Sequence, residues 1–394
     1  MRLLLGVSLL VGVVAACGDD HAGPFWLDDA HVMIKGIGLA EDNCRDNICP
    51  HNENTDLINF GGAIYLVHRT AESQILGPNC ALRVYKTTDG GANWNMLAIL
   101  PGPTADTYPQ YGDRDLRDPS FDIVDGKLAM KALIRLPVTS SRDSNVDTIT
   151  VGTISSDGGT TWSPWTPLTT PQTGDGWSFW RIRDYQDVHY AAAYQDGDKS
   201  VVLYSSPDGK TWTPGATIYD KAEDTPLETE IVFMPSGRML ALVRVDGTDA
   251  ELLGAQGRLR TIVCWAQPPY DHFDCPQVLD GQRLDGPVAF FHGSRLWVIA
   301  RKHYLEAANR KRTSLFEITG TLEGGPIGIR EIGEIPSAGD TAYAGAADVD
   351  ADHVLITWYS SSLSADEPWA RAILEASDIW QAQLDMTHVP PPLE

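Results

Sequence analysis

Short segments in which apolar and polar residues alternate recur along the whole chain, and Gly, Asp or Pro bounds most of them. This two-residue period predicts β-strands, and no segment shows the longer apolar period of a helix. Strands are predicted in three units, at residues 56–60, 63–69 and 81–87, at 120–124, 127–133 and 148–154, and at 179–185, 188–194 and 200–205. Three later hairpins, with turns at 235–237, 292–294 and 350–352, continue the pattern.

A turn of nearly constant sequence follows the last predicted strand of each of the first three units. It reads TTDGGANW at 87–94, SSDGGTTW at 155–162 and SPDGKTW at 206–212. An Asp carboxylate in a tight turn accepts backbone N–H groups of that turn, and Gly allows a positive φ. Asp89, Asp157 and Asp208 are therefore predicted to be structural, with the Trp folded back over the hairpin.

The spacing of these units predicts the fold. Six units of roughly 50–65 residues, each with about four short strands, are typical of a six-bladed β-propeller. The fold class is therefore all-β, and a pair of β-sandwiches is the competing architecture. Residues 31–37 are predicted to add the outer strand of the last blade. The propeller would then span residues 31–388, followed by a disordered tail at 389–394.

The N-terminus has the pattern of an export signal. Arg2 precedes an apolar run of 14 residues at 3–16, which is too short to span a bilayer and ends in Val-Ala-Ala before Cys17. Small residues directly before a Cys resemble a bacterial lipoprotein signal, which predicts a signal peptide at 1–16, lipidation of Cys17 and a tether at 17–30. An ordinary secretory signal is the alternative. Either way the protein is predicted to be exported, and with the anchor it would sit on the periplasmic or cell-surface face of a membrane.

Five cysteines follow Cys17, so at most two disulfides form and one thiol remains. Cys264 and Cys275 flank a turn and are predicted to pair, whereas Cys44 has either Cys49 or Cys80 as a partner. No Cys or His spacing typical of zinc is present, so no metal or cofactor is expected, although many Asp residues leave room for a structural calcium.

Charge narrows the choice of partners. The chain carries 53 Asp and Glu against 30 Lys and Arg, a formal net charge of −23. A surface this acidic repels phosphate backbones, so nucleic acid is not expected as a partner. The chain is expected to be a monomer that contacts a membrane through its lipid anchor.

The repeated turn is the Asp-box, and with six blades it resembles the sialidase (neuraminidase) superfamily. Residues 228–244, a strand pair that begins with Glu and ends with Arg, are similar to a sialidase strand pair. Residues 336–345, followed by 358–361, resemble the last blade of bacterial sialidase-like proteins. The resemblance covers roughly residues 52–379 and implies a retaining exo-glycosidase that removes terminal sialic acid or a related acidic sugar from a glycan.

The resemblance also implies the catalytic residues. Tyr343 stands at the position of the nucleophile, Glu228 at that of the base that activates it, and Glu230, on the same strand face, is the reserve for the base. Sialic acid is already an anion and would repel a carboxylate nucleophile, and a phenol next to a Glu avoids this repulsion. Arg244 and Arg312 match two of the three arginines that bind the sugar carboxylate, with Arg301 as the reserve for Arg312.

Two family elements depart from the pattern. Residues 53–56 hold the place of the first arginine and contain none, so Arg117 in the sequence Arg-Asp-Pro is the nearest match. The loop at 69–79 contains no Asp for the acid/base, which leaves Asp118, with Asp115 or Asp56 as alternatives. The second hypothesis is therefore a non-catalytic glycan-binding or protein-interaction propeller, and the third is a glycosidase or lyase that acts on neutral glycans.

Overall fold

The computed structural model describes residues 24–37, 43–110, 112–135, 148–168, 176–195, 199–246, 260–304 and 307–391. The predicted signal peptide, Cys17, the first part of the tether and the last three residues lie outside the described residues. In the described part of the chain, 24 strands form six sheets of four strands each. No described helix is long and apolar enough to cross a membrane.

The strands follow one another blade by blade. The chain starts with β1 (Leu27–Ile34), and blade 1 then holds β2 (His51–Phe60), β3 (Ala63–Ala71), β4 (Ala81–Thr87) and β5 (Asn95–Pro101). Blade 2 holds β6 (Asp115–Val124), β7 (Lys127–Arg135), β8 (Thr148–Ser155) and β9 (Thr166–Pro167). Blade 3 holds β10 (Ser178–Tyr185), β11 (Val188–Tyr194), β12 (Val201–Ser206) and β13 (Thr213–Tyr219).

The second half of the chain repeats this order. Blade 4 holds β14 (Thr225–Phe233), β15 (Met239–Asp246), β16 (Arg260–Ala266) and β17 (Asp274–Asp280). Blade 5 holds β18 (Leu284–His292), β19 (Arg295–Tyr304), β20 (Ala307–Gly320) and β21 (Ile327–Glu334). Blade 6 holds β22 (Ala338–Asp348), β23 (His353–Ser362) and β24 (Asp378–Asp385), with a short helix α1 (Trp369–Ala372) before its last strand.

The ring is closed by the N-terminal strand. Strand β1 pairs antiparallel with β24 and completes blade 6 from the outside, as predicted, although it begins at Leu27 rather than at residue 31. The earlier start follows from burial, since Trp26 and Leu27 belong to an apolar core that blades 5 and 6 share. The first strands of neighbouring blades contact one another all the way around, from β2 to β22 and back to β2. The six-bladed propeller is therefore confirmed, and the alternative of two sandwiches is wrong.

The three Asp turns are closed by hydrogen bonds within each turn. Asp157 accepts the backbone N–H groups of Thr160 at 3.1 Å and Thr161 at 2.9 Å, and the hydroxyl of Ser155 at 2.9 Å. Asp89 and Asp208 accept backbone N–H groups in the same way. The carboxylates are thus committed to the turns, which agrees with a structural role.

Asp157→Ala is expected to lower the urea midpoint of unfolding at pH 7, because the turn loses these acceptors. The hydrogen bonds, first that from the Thr161 hydroxyl, lower the pKa of Asp157 to about 2. A lowered folded-state pKa means that the stabilisation is present above pH 4 and is lost as the pH falls towards 2. Urea titrations should show the difference between wild type and variant shrinking over that range, and a constant difference would contradict this account.

The disulfides resolve the pairing that the sequence left open. Cys44 bonds to Cys49, and Cys264 bonds to Cys275 across β16 and β17. Cys80 is a buried thiol that accepts the backbone N–H of Leu116 at 3.0 Å. The prediction of two disulfides with one thiol left over is thus confirmed for the described cysteines.

Candidate active site

All six innermost strands carry a bulge at the same place. At each bulge the inner strand advances three residues while its partner advances two, so one extra residue is inserted. A bulge breaks the pairing and re-aims side chains. The unpaired residues are Asn54 and Thr55, Asp118 and Pro119, Trp180 and Arg181, Leu227 and Glu228, Gly286 and Pro287, and Tyr343 and Ala344.

The bulges meet around the propeller axis. The Thr55 hydroxyl donates to the carbonyl of Tyr343 at 3.0 Å, and the Trp180 indole donates to the carbonyl of Pro287 at 3.0 Å. Together they frame a narrow cleft, here called the axial pocket, whose walls include Asn54, Asp118, Lys131, Trp180, Arg181 and Tyr343. The pocket is thus built from backbone irregularities of several blades.

The backbone is strained at three of these positions. Asn54, Asp118 and Tyr343 have φ values of 52°, 48° and 49°, in the left-handed region that non-glycine residues rarely occupy. Such strain persists where the surroundings over-determine it, often at functional sites. Opposite Tyr343, a Cβ on Gly286 would lie 2.8 Å from the tyrosine ring, so glycine is required for the ring to take this position.

Tyr343 and Glu228 form a hydrogen-bonded pair across blades 6 and 4. The Tyr343 hydroxyl donates to Glu228 Oε1 at 2.5 Å, and Glu228 Oε2 pairs with Arg244. Burial, and then the charge of Glu228, raise the pKa of Tyr343 well above its usual value. Burial also raises the pKa of Glu228. The phenol therefore holds its proton at rest, with a proton acceptor already in contact.

Two arginines flank this pair. Arg244 also binds Asp246 at 2.7 Å and lies 3.2 Å from Asp285, and the Arg301 guanidinium lies 5.7 Å from the centre of the Tyr343 ring. Arg301 donates to Asp340 at 2.9 Å and to the carbonyl of Thr341 at 2.6 Å. The carboxylates hold both guanidiniums rigidly beside the phenol, and they also offset their positive charge.

Arg117 and Asp118 are neighbours on β6, and Asp118 lines the axial pocket. Arg117 Nη1 donates to the carbonyls of Gln74 and Ile75 at 3.1 and 3.0 Å. Its buried Nε lies 3.5 Å from Asp118 Oδ2 and has no hydrogen-bond partner among the described residues. In the part of the chain that the structure describes, Asp118 Oδ1 and Asn54 Oδ1 are also buried without a hydrogen-bond partner. Unsatisfied polar atoms around one pocket indicate a place where a ligand or water binds.

Lys131, which also lines the axial pocket, holds the bulge at Asp118. Its ammonium donates to the carbonyls of Asp118 at 2.7 Å and Phe179 at 2.9 Å, which ties the strained bulge of blade 2 to blade 3. Burial lowers the pKa of Lys131 to about 7.

The structure brings together most of the residues predicted from the sequence. Tyr343 bonds to Glu228, which in turn pairs with Arg244. Arg301 lies beside the Tyr343 ring, and Asp118 lines the axial pocket together with Tyr343. Arg117 is buried beside Asp118.

Two predicted residues bind groups other than Tyr343. Glu230 binds Arg183 at 2.7 Å and the Trp180 indole at 3.2 Å rather than Tyr343. Arg312, on the third strand of blade 5, binds Asp366 at 2.7 Å and lies 3.7 Å from Glu334. Arg301 therefore holds the place beside the phenol that sequence reasoning gave first to Arg312.

Several residues around the site were missed. Arg181 binds Asp56 and donates to the carbonyl of Ala344, and Asp285 and Asp340 hold the arginines. Although burial alone would raise it, the charges of Arg244 and Arg283 hold the pKa of Asp285 well below its usual value. Nothing in the local sequence marks the pairs of Arg181 with Asp56, of Asp285 with Arg244 and of Asp340 with Arg301, because the two members of each pair lie on different blades.

No protein-family model matches the chain, and no curated protein matches it in sequence. Solved structures match its fold. A protein of unknown function from Dyadobacter fermentans is 15% identical with a TM-score of 0.62, over 90% of this chain and 99% of that one. The NanB sialidase of Streptococcus pneumoniae, as its K499G mutant, is 12% identical with a TM-score of 0.65, over 92% of this chain and 71% of that one.

The Trypanosoma rangeli sialidase is a third match. Its complex with 2,3-difluorosialic acid, described as a covalent intermediate, is 13% identical with a TM-score of 0.62. The match covers 92% of this chain, which spans 59% of the length of that sialidase. The protein is thus a six-bladed β-propeller with a sialidase-like fold, and at this identity the likeness concerns the fold alone.

Proposed function

We propose that the protein is a sialidase-like exo-glycosidase that removes terminal sialic acid or a related acidic sugar from glycans with retention. The observation that carries the proposal is the hydrogen bond of 2.5 Å between the Tyr343 hydroxyl and Glu228, with Arg244 and Arg301 beside it. A neutral phenol in contact with a carboxylate is an activated nucleophile that does not repel an anionic sugar.

The proposed reaction has two steps. Tyr343 Oη forms a bond to the anomeric carbon while its proton passes to Glu228, and Asp118 protonates the departing glycosidic oxygen. Water, deprotonated by Asp118, then attacks the anomeric carbon, and the phenolate leaves and recovers its proton from Glu228. Arg117, Arg244 and Arg301 would bind the sugar carboxylate through N–H groups not already used by the protein.

A second candidate is a non-catalytic glycan-binding propeller. The observation that favours it is the number of carboxylates that already hold the arginines, namely Asp246 and Asp285 on Arg244 and Asp340 on Arg301. In addition, Glu72, the acidic residue of the loop after the first hairpin, is already used within that loop, because it accepts the backbone N–H of Asn79 at 2.9 Å. A fully compensated arginine binds a further carboxylate less strongly than a free one.

Hydrolysis of 4-methylumbelliferyl α-sialoside by the purified protein separates the two. We expect release of the fluorophore, and 2,3-difluorosialic acid should add its glycosyl mass to the peptide that contains Tyr343. A folded protein that neither releases fluorophore nor takes the label, but binds sialylated glycans on an array, would establish the binding propeller instead.

We also propose that the protein is exported and anchored by a lipid on Cys17. The two disulfides support export, because such bonds persist in oxidising compartments. Cys17→Ser is expected to abolish incorporation of labelled palmitate and to move the protein from the membrane to the soluble fraction of the producing bacterium. Unchanged membrane association in the variant would contradict the anchor.

A further inference from the structure

A second cluster of ligating side chains lies outside the axial pocket, where blades 2 and 3 meet. Asp122 comes from β6 in blade 2, and Asp184 and His189 face each other across the β10–β11 hairpin of blade 3. One oxygen of each carboxylate and one imidazole nitrogen lie within 4.8 Å of one another. None of the three residues takes part in the chemistry proposed above.

The contacts in this cluster are close, but they fall outside ordinary hydrogen-bond geometry. His189 Nδ1 lies 2.6 Å from Asp184 Oδ1 and 3.2 Å from Asp122 Oδ2, yet among the described residues this buried nitrogen has no partner in hydrogen-bonding geometry. At such distances the failure is one of direction, so the in-plane axis of Nδ1 points at neither oxygen. An ion bound to Nδ1 along that axis would have the two carboxylate oxygens beside it, which is how ligands are arranged around a shared ion.

We propose that Asp122, Asp184 and His189 bind a divalent transition metal, of which zinc is the best probe. One imidazole nitrogen with two carboxylate oxygens is a donor set that zinc accepts, with a fourth position for water. Two ligand atoms at tetrahedral angles around zinc lie about 3.4 Å apart, close to the spacing of Asp122 Oδ2 and His189 Nδ1. Asp184, whose side chain is 46% exposed, has room to move out to that spacing.

The surroundings orient the ligands. Asp122 Oδ1 accepts the backbone N–H of Ile123 at 2.7 Å, which leaves Oδ2 for the cluster. Lys210, in the Asp turn at 206–212, pairs with Asp125 at 2.6 Å instead of with the cluster. A cavity of about 200 Å³ between the two blades has Asp122 in its wall.

The competing occupant is a proton on His189. Its contacts with the carboxylates of Asp122 and then Asp184 raise the pKa of His189 to about 10. A metal would displace this proton and join the two blades through ligands from both. The sequence could not reveal the site, because the ligands come from two blades and lack a metal-binding spacing.

The proposal is tested by measuring zinc binding to the purified full-length protein after EDTA has removed any bound metal. Calorimetric titration with ZnCl₂ should show one zinc per chain, and zinc should raise the melting temperature. Asp184→Asn and His189→Gln should each weaken zinc binding by at least about tenfold. His292→Gln is the matched control and should bind zinc like the wild type, because Asp348, at 2.8 Å, is the one carboxylate that His292 contacts among the described residues.

The proposal is overturned if the wild type shows no saturable uptake of one zinc, or if Asp184→Asn binds zinc as the wild type does. Asp184→Asn decides the matter should His189→Gln fail to fold, because the Asp184 side chain is half exposed. Sialoside turnover does not enter this test, so its outcome is independent of the proposed function.

Discussion

Tyr343→Phe is expected to lower kcat/KM for an aryl α-sialoside by at least about a thousandfold, because the variant lacks the oxygen that bonds to the sugar. The ring itself should remain in place between Trp180 and Tyr359, whose ring centres lie 5.5 and 5.9 Å away. The loss should therefore appear in kcat, with binding of free sialic acid retained. Initial rates with 4-methylumbelliferyl α-sialoside and calorimetry with sialic acid measure the two separately.

Tyr65→Phe provides the control for this experiment. Tyr65 is also buried, but it packs against Phe60 in blade 1, with ring centres 6.1 Å apart, outside the axial pocket. It should leave turnover unchanged. Wild-type turnover by Tyr343→Phe would show that another residue is the nucleophile, and the position of the 2,3-difluorosialic acid label would then identify it.

The propeller could be predicted because its signals are local, whereas the core of the candidate site could be predicted only from the resemblance of residues 228–244 and 336–345 to sialidase segments. Strand alternation and the repeated Asp turns mark the blades, and the Glu and Arg that begin and end residues 228–244 lie on one strand pair. The bulges could not be predicted, since the extra residue of a bulge does not stand out in the sequence of its strand. They nevertheless decide which side chains reach the axis, including Glu228 and Tyr343.

The choice between Arg301 and Arg312 shows the same limit. Arg301, on the second strand of blade 5, pairs with Asp285 directly before the bulge, as Arg69 pairs with Glu53 in blade 1. Arg312 lies on the third strand, farther from the axis. Distance along the sequence to Tyr343 cannot separate the two arginines, because strand order within a blade, and not spacing, determines which one lies beside the phenol.

Arg69→Met is expected to lower the free energy of unfolding by about 3–5 kcal/mol, because it removes the guanidinium that pairs with two buried acidic side chains. Arg69 is fully buried, with its guanidinium 3.1 Å from Glu53 and 2.9 Å from Asp115. Methionine has a comparable length without charge, so the loss reports the ion pairs more than a cavity. Urea unfolding followed by tryptophan fluorescence measures the change.

Arg310→Met is the matched control for Arg69→Met. Arg310 binds the carboxylate of Glu334 at 2.6 Å, but its side chain is 34% exposed, whereas that of Arg69 is fully buried. Exposed pairs contribute at most about 1 kcal/mol, because water screens them and replaces the lost partner. Equal losses in the two variants would show that burial of the pairs around Arg69 is unimportant. A larger loss for Arg69→Met would show that the buried polar network around Arg69 contributes much of the stability of blade 1. Asp115 connects this network to Arg117, which lies 3.5 Å away.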